Sequence, residues 1–159
     1  MITIPLTQGK VALIDDEDAH LADLGWYAHR GARGGWYALR HEGRRVVRLH
    51  EAVLGQSGVD HRNGDGLNCR RGNLRPATAA QNAKNRARGR NNTSGFKGVS
   101  RATDRDRPNP WHARVMVDRR SVSLGYHATP EEAARAYDAA ATKLHGEFAR
   151  LNFPEVAHG

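Results

Sequence analysis

Between Arg88 and Gly95 the chain reads Arg-Gly-Arg-Asn-Asn-Thr-Ser-Gly, a run with almost nothing apolar to bury. Such a segment is a natural hinge, so the 159 residues, enough for one ordinary domain or two small ones, are read as two. The expected division is a first domain at 1–88, a basic linker at 89–95, a second domain at 96–154 and a tail at 155–159. Each half then has to satisfy its own hydrophobic pattern.

Charge is distributed as unevenly as hydrophobicity. Lys and Arg total 25 against 17 Asp and Glu, for a net charge of +8, a balance that favours a polyanionic partner such as nucleic acid. From Gly66 to Thr103 there is no acidic residue at all, while Arg75, Lys84, Arg88, Arg90, Lys97 and Arg101 fall in that interval. The apolar runs are too short to span a bilayer or to act as a signal peptide, and Pro5 interrupts the first of them. The expectation is a cytoplasmic protein with no membrane partner. Cys69 is the sole cysteine, which rules out an intrachain disulfide and a Cys-x-x-Cys clip, so no structural zinc is expected.

In the first half, Val11-Ala12-Leu13-Ile14 is stopped by Asp15-Asp16-Glu17-Asp18, which reads as a solvated turn capping a short helix over 19–24. Gly25-Trp26-Tyr27-Ala28-His29-Arg30 is echoed by Gly35-Trp36-Tyr37-Ala38-Leu39-Arg40, and two β-prone runs joined by a Gly-rich link predict a hairpin. Its aromatic residues are read as packing against one another rather than as base-stacking platforms. Arg44 to Leu49 reads as a strand, and Leu49 to Leu54 as a helical turn ended by Gly55. His50, in that helical turn, reads as a packed or hydrogen-bonded histidine rather than as a metal ligand. Val59 to His61 and Leu74-Arg75 form a further strand pair, closed by Pro76. A helix follows, with Thr78 as N-cap, Gln81 as capping-box partner and alanines to Ala87.

In the second half, Phe96 to Arg101, Trp111 to Val117 and Ser121 to Tyr126 read as strands. The middle one alternates Trp111, Ala113, Val115 and Val117 with His112, Arg114, Met116 and Asp118, the signature of a sheet buried on one face. Thr129, Pro130 and Glu132 open a helix, Gly146 ends it, and Ala133, Ala136, Tyr137, Ala140, Ala141 and Leu144 form its apolar stripe. The fold class is therefore α+β: a β-rich amino-terminal module, then a small three-stranded antiparallel sheet with one helix.

Chemistry concentrates between Val59 and Asn82. Breaking a phosphodiester needs an activated water, stabilised phosphate charge and a counter-charge for the leaving oxygen. His61 can take a proton from water near pH 7, and Asp60 and Asn82 offer hard oxygen ligands suited to Mg²⁺ or another divalent cation such as Mn²⁺. Asn73 can bond either the turn or the imidazole. Neighbours in a regular strand face opposite ways, so Asp60 and His61 meet at one site only if the strand ends or twists there. Each residue also has a structural reading: Asp60 as a turn acceptor, His61 as a buried ring, Asn73 in a turn, Asn82 on a solvated helix face.

Asp60-His61-Arg62-Asn63-Gly64, then Asn73-Leu74-Arg75, then Gln81-Asn82-Ala83-Lys84-Asn85 resembles the HNH, or ββα-metal, endonucleases of phages and mobile introns in their Asp-His variant. That resemblance implies a nuclease motif at 47–88, with His61 as general base, Asp60 and Asn82 holding one divalent metal and Asn73 supporting the histidine. Further on, Ser94-Gly95-Phe96-Lys97-Gly98-Val99, Leu124-Gly125-Tyr126, the helix from Thr129 to Ala140 and Leu151-Asn152-Phe153-Pro154 are similar to the Apetala-two/ethylene-response-factor DNA-binding domain. This second resemblance implies a sheet that enters the major groove, with Lys97, Arg101, His112, Arg114, Arg119 and Arg120 at or near the contact face. Ser100, Met116, Ser121 and Ser123 stand where plant relatives carry Arg or Trp, which implies salt-sensitive affinity with modest sequence preference.

The combined expectation is a homing-type, metal-dependent DNA endonuclease that nicks one strand of double-stranded DNA per site, as a monomer or weak dimer. Arg75, Lys84, Arg88 and Arg90 would add backbone contacts. The alternative is a non-catalytic DNA-binding or regulatory protein that keeps the nuclease fold as scaffold.

Overall fold

The computed structural model describes residues 1–32, 34–89, 91–104 and 106–154. Its elements are short strands in small antiparallel sheets with few helices, an α+β fold. The chain divides into two compact units, Met1–Ala83 and Lys84–Gly159.

The first unit opens with a strand pair. β1 (Ile2–Pro5) pairs antiparallel with β2 (Val11–Ile14), and the pairing turns Ile4, Ala12 and Ile14 into the core. The helix expected at 19–24 is replaced by a 3₁₀ segment, Asp16–Leu21. At its end the Leu21 carbonyl accepts from Trp26 Nε1 at 2.7 Å as well as from Leu24 N at 3.4 Å. The acidic cluster is also more than a solvated turn. Asp18 is only 1% exposed, and its two carboxylate oxygens accept from Arg71 Nε at 3.0 Å and Nη2 at 2.7 Å. Burying a carboxylate requires such a partner.

The repeated Trp-Tyr-Ala runs do form neighbouring strands. β3 (Tyr27–Arg30), β4 (Trp36–Glu42) and β5 (Arg45–Arg48) lie in that order, with Ala28 opposite Ala38 on the buried face. α1 (Leu49–Leu54) inserts Leu49 and Val53 and ends at Gly55, whose φ of 65° is the left-handed conformation glycine tolerates best. β6 (Val59–His61) then pairs with β7 (Leu74–Pro76). α2 (Ala79–Lys84) follows, capped reciprocally by Thr78 and Gln81: Gln81 N donates to Thr78 Oγ1 and Thr78 N to Gln81 Oε1. It stops at Lys84 rather than reaching Ala87.

In the second unit, β8 (Val99–Arg101), β9 (Trp111–Val117) and β10 (Arg120–His127) form an antiparallel sheet with β9 in the centre. β8 is shorter than expected, because residues 96–98 make a turn against the helix rather than a ladder. Period-two alternation holds along β9, where Ala113 and Val115 are buried while Arg114 and Met116 face solvent. α3 (Pro130–His145) covers the buried face with Ala133, Ala134, Tyr137 and Ala141, and Thr129 Oγ1 caps it by accepting from Glu132 N. Leu144, expected in the stripe, is exposed.

Two polar devices close this small core. Asp138, on α3, accepts from Asn152 N, Asn152 Nδ2 and Phe153 N at 2.8–3.0 Å, while Asn152 also bonds both backbone groups of Lys97. The expected linker is organised in the same way: Asn92 Nδ2 donates to Phe96 O at 2.8 Å and Ser94 Oγ to Val99 O at 2.9 Å, so these residues belong to the second unit.

Gly98 has no room for a side chain. It sits at φ 78°, and a Cβ there would lie 2.0 Å from Tyr137 Cδ2 and 2.8 Å from Arg114 O. Gly98→Ala is expected to destabilise the second unit by about 2–4 kcal/mol through strain and overpacking. Urea unfolding monitored by hydrogen exchange should show lost protection in β8, β9 and α3, with strands β1 to β5 unchanged.

Candidate functional site

β6 has three residues, and its pairing places Asp60 opposite Arg75 and His61 opposite Leu74. The two side chains keep different company. Asp60 is buried, and its Oδ2 accepts from Arg75 Nε at 2.9 Å and Nη2 at 2.7 Å. His61, also buried, meets the rings of His50 and Tyr37 at 4.8 and 6.2 Å between centroids, and its Nε2 lies 3.8 Å from Cys69 Sγ. Arg75, expected at a DNA surface, is instead only 5% exposed and serves as the internal partner of Asp60.

Asn73 bonds the turn. Its Oδ1 accepts from Asn63 N at 3.1 Å and its Nδ2 donates to Asn68 O at 2.7 Å, while Asn73 O accepts from Arg62 N. Asn82 is exposed on α2, with Nδ2 3.4 Å from Val59 O, a contact that holds the helix to the hairpin. Asn63 and Asp65 support the loop by accepting from Asp65 N and Leu67 N. An open polar cleft beside it is lined by Arg62, Asn63, Asn68, Arg70 and Asn73 along with Asp15 and Gly72; Asp60, His61 and Asn82 are outside that lining.

Burial dominates the electrostatics beneath this loop. It pushes His50 from 6.5 down to about 3, helped by the positive charges of His61 and Arg48. It also lowers His61, against the opposing pull of Asp60 and Asp65. The Cys69 thiol is pushed up to about 12, by burial first and the Asp65 charge second. At neutral pH all three groups are therefore uncharged. No local pattern marks this cluster, because its members come from α1, β6 and the loop between β6 and β7. The link that positions Cys69 is equally non-local: its N–H donates to Leu13 O on β2 at 2.8 Å.

A different surface lies on the second unit. The register places Ser100 opposite His112, Arg114 opposite Ser123 and Met116 opposite Ser121, all on the face away from α3. Tyr126 joins them opposite His112, where the two rings stack at 4.5 Å and 18°, and the Arg107 guanidinium lies 3.6 Å from the Tyr126 centroid. His112 Nε2 also meets Ser123 Oγ at 2.8 Å. Burial, with Arg114 and Arg107 nearby, lowers the His112 pKa. Tyr126 and Arg107 were not foreseen as site residues; strand alternation points to Tyr126 only after the bulge between Ser123 and Tyr126 is known, and Arg107 lies in a loop without a pattern.

The other expected contacts are scattered. Arg101 is exposed but stands opposite Trp111, on the parity of the helix-facing residues, with its guanidinium 5.9 Å from that ring. Arg119 is exposed in the β9–β10 turn, and Arg120 is exposed at the start of β10. Lys97 turns inward: its Nζ donates to Lys84 O, and burial lowers its pKa to about 8. Lys84 is half-buried, Arg88 is exposed and donates to Gly95 O, and Arg90 lies outside the described residues.

A 51-residue segment of the chain is 56% identical to an ethylene-responsive transcription factor, ERF010, of Arabidopsis thaliana. It covers 31% of this chain and 28% of that protein, so the chain spans well under a third of the relative's length. The match supports the Apetala-two/ethylene-response-factor likeness and lends nothing to the HNH one. No family model matches the chain, and no solved structure matches it.

His50 binds its proton far more weakly when folded than when unfolded, so the unfolded chain takes up the proton first as pH falls. Stability is thus complete above the unfolded value of 6.5 and is lost toward the folded value of about 3. The expected loss is about 1.4 kcal/mol per pH unit for this residue alone. Urea denaturation at about pH 7 and about pH 5.5, above most carboxylate titration, should show it, and His50→Gln should flatten the difference.

Proposed function

We propose that this chain is a duplex-DNA-binding protein and that the outer face of β9 and β10 is its contact surface. The observation that carries the reading is the solvent-facing row of that sheet. It sets Arg114 among Ser100, Ser121 and Ser123, with the stacked Arg107, Tyr126 and His112 beside it, within the kind of domain whose similarity extends to a transcription factor. Guanidinium, imidazole and hydroxyl groups can all donate to phosphate or to base edges. The backbone at the hairpin tip supports the same reading. Asp118 and Arg119 both have positive φ, 45° and 66°, where a two-residue turn favours Asn-Gly. Strain of that kind tends to be kept where a side chain is needed, and here it holds Arg119 at the tip.

Strand cleavage is the second reading. It is favoured by the order β6, β7, α2 and by the Asn82 contact that brings the helix onto Val59. The donor set fits Mg²⁺ poorly, however. The Asp60 carboxylate is already bound by Arg75, and a buried guanidinium at 2.7 Å opposes a second cation at the same oxygen. The non-catalytic reading is therefore preferred.

Both readings are tested on one preparation of the full chain. Fluorescence anisotropy should give duplex binding that weakens steeply with salt, and Arg114→Ala should lower the slope of log K against log salt by about 1. Duplex should outcompete RNA of the same length. Supercoiled plasmid with Mg²⁺ should be shifted but not nicked; nicking that EDTA abolishes and His61→Ala removes would install the second reading in place of the first.

A further inference from the structure

We propose that His50, His61 and Cys69 form a binding site for one thiophilic divalent cation, Zn²⁺ by the chemistry of its donors. The inference does not rest on the DNA-binding reading, since all three residues belong to the first unit.

One ligand atom from each of the three residues lies within 4.8 Å of the other two, and Cys69 Sγ is 3.8 Å from His61 Nε2. A tetrahedral zinc, bonded at about 2.3 Å to sulfur and about 2.1 Å to nitrogen, separates those atoms by about 3.6 Å. The site thus needs small adjustments rather than a rearrangement. The donors are mutually fixed: His50 is carried by α1, His61 by β6, and Cys69 is anchored through its backbone to β2. All three are buried, at 6%, 6% and 0% exposure.

A second observation points to a ligand. Among the described residues, His50 Nδ1 is buried with no hydrogen-bond partner, a condition that costs free energy in a well-packed protein. A cation coordinated by the imidazole would offset it. Two imidazoles and a thiolate are borderline-to-soft donors, which prefer Zn²⁺ over Mg²⁺. The charges of Asp65 and Asp60 also bear on the cluster: Asp65 acts on both His61 and Cys69, and Asp60 acts on His61. Arg48, acting on His50, opposes a cation. Coordination releases the Cys69 thiol proton to solvent and leaves one tetrahedral position for water. Such a three-ligand site ties α1 to β6 and the β6–β7 loop. It also occupies the imidazole that the cleavage reading requires as a base, so Zn²⁺ at this cluster and strand cleavage exclude one another.

The test uses the full chain, stripped with chelator and shown to be folded by circular dichroism. Titration with Co²⁺ is expected to give one equivalent bound and a thiolate-to-cobalt charge-transfer band, which Cys69 alone can produce because the chain has a single cysteine. Zn²⁺ should displace the Co²⁺ and raise the melting temperature. Cys69→Ser should abolish the band, and Cys69→Ser and His50→Gln should each weaken Zn²⁺ binding by at least about tenfold, since even an outer-shell partner is worth that much. A folded wild-type chain without the band overturns the proposal, as does Zn²⁺ affinity unchanged in both variants. Anisotropy on the same preparation reads the second unit separately, so failure of DNA binding is distinguishable from failure of this site.

Discussion

The pairing of Asp60 with Arg75 governs what the amino-terminal unit can do. Both groups are nearly excluded from water and meet through two hydrogen bonds to one carboxylate oxygen. A buried pair of this kind adds little net stability, but removing either partner strands a charge and costs about 3–5 kcal/mol. The register of β6 on β7 is consequently fixed, and with it the side chain next in line. His61 turns toward α1 and the loop, where His50, Tyr37 and Cys69 surround it. Strand alternation separates a carboxylate from an imidazole that are adjacent in sequence, and the ion pair holds the carboxylate on its own side.

The second unit solves the same problem of a small core by different means. Alanines on α3 let the helix approach the sheet closely, and Gly98 admits the Tyr137 ring. Asp138 and Asn152 then satisfy the backbone where the chain returns beneath the helix. With one face of the sheet sealed in this way, the other is left to solvent, and its row of polar and stacked side chains is available to a partner. Rigid support on one face and exposed chemistry on the other is what a reading surface needs.

Legibility in the sequence followed locality. The alternation in Trp111–Val117, the cap at Thr129, the stop at Gly146 and the repeated Trp-Tyr-Ala hairpin are all encoded within a few residues, and all appear in the structure. What escaped depends on distant partners. Asp18 looks like part of a solvated acidic run until Arg71 is brought to it, and Arg75 looks like a surface cation until Asp60 buries it. Lys97 belongs by sequence to a basic stretch, yet its ammonium turns to the Lys84 carbonyl. The same limit hides the His50, His61 and Cys69 cluster, whose members are far apart in sequence and look there like a packed ring, a base and a lone thiol.

The central claim is that the outer face of β9 and β10 meets DNA, and hydrogen–deuterium exchange of the full chain with and without a duplex tests it most directly. The account predicts added protection in residues 111–127 and the turn at Asp118 and Arg119, with β1 to β5 unchanged. Protection confined to residues 59–84, with the 111–127 sheet exchanging as in the free protein, would contradict it.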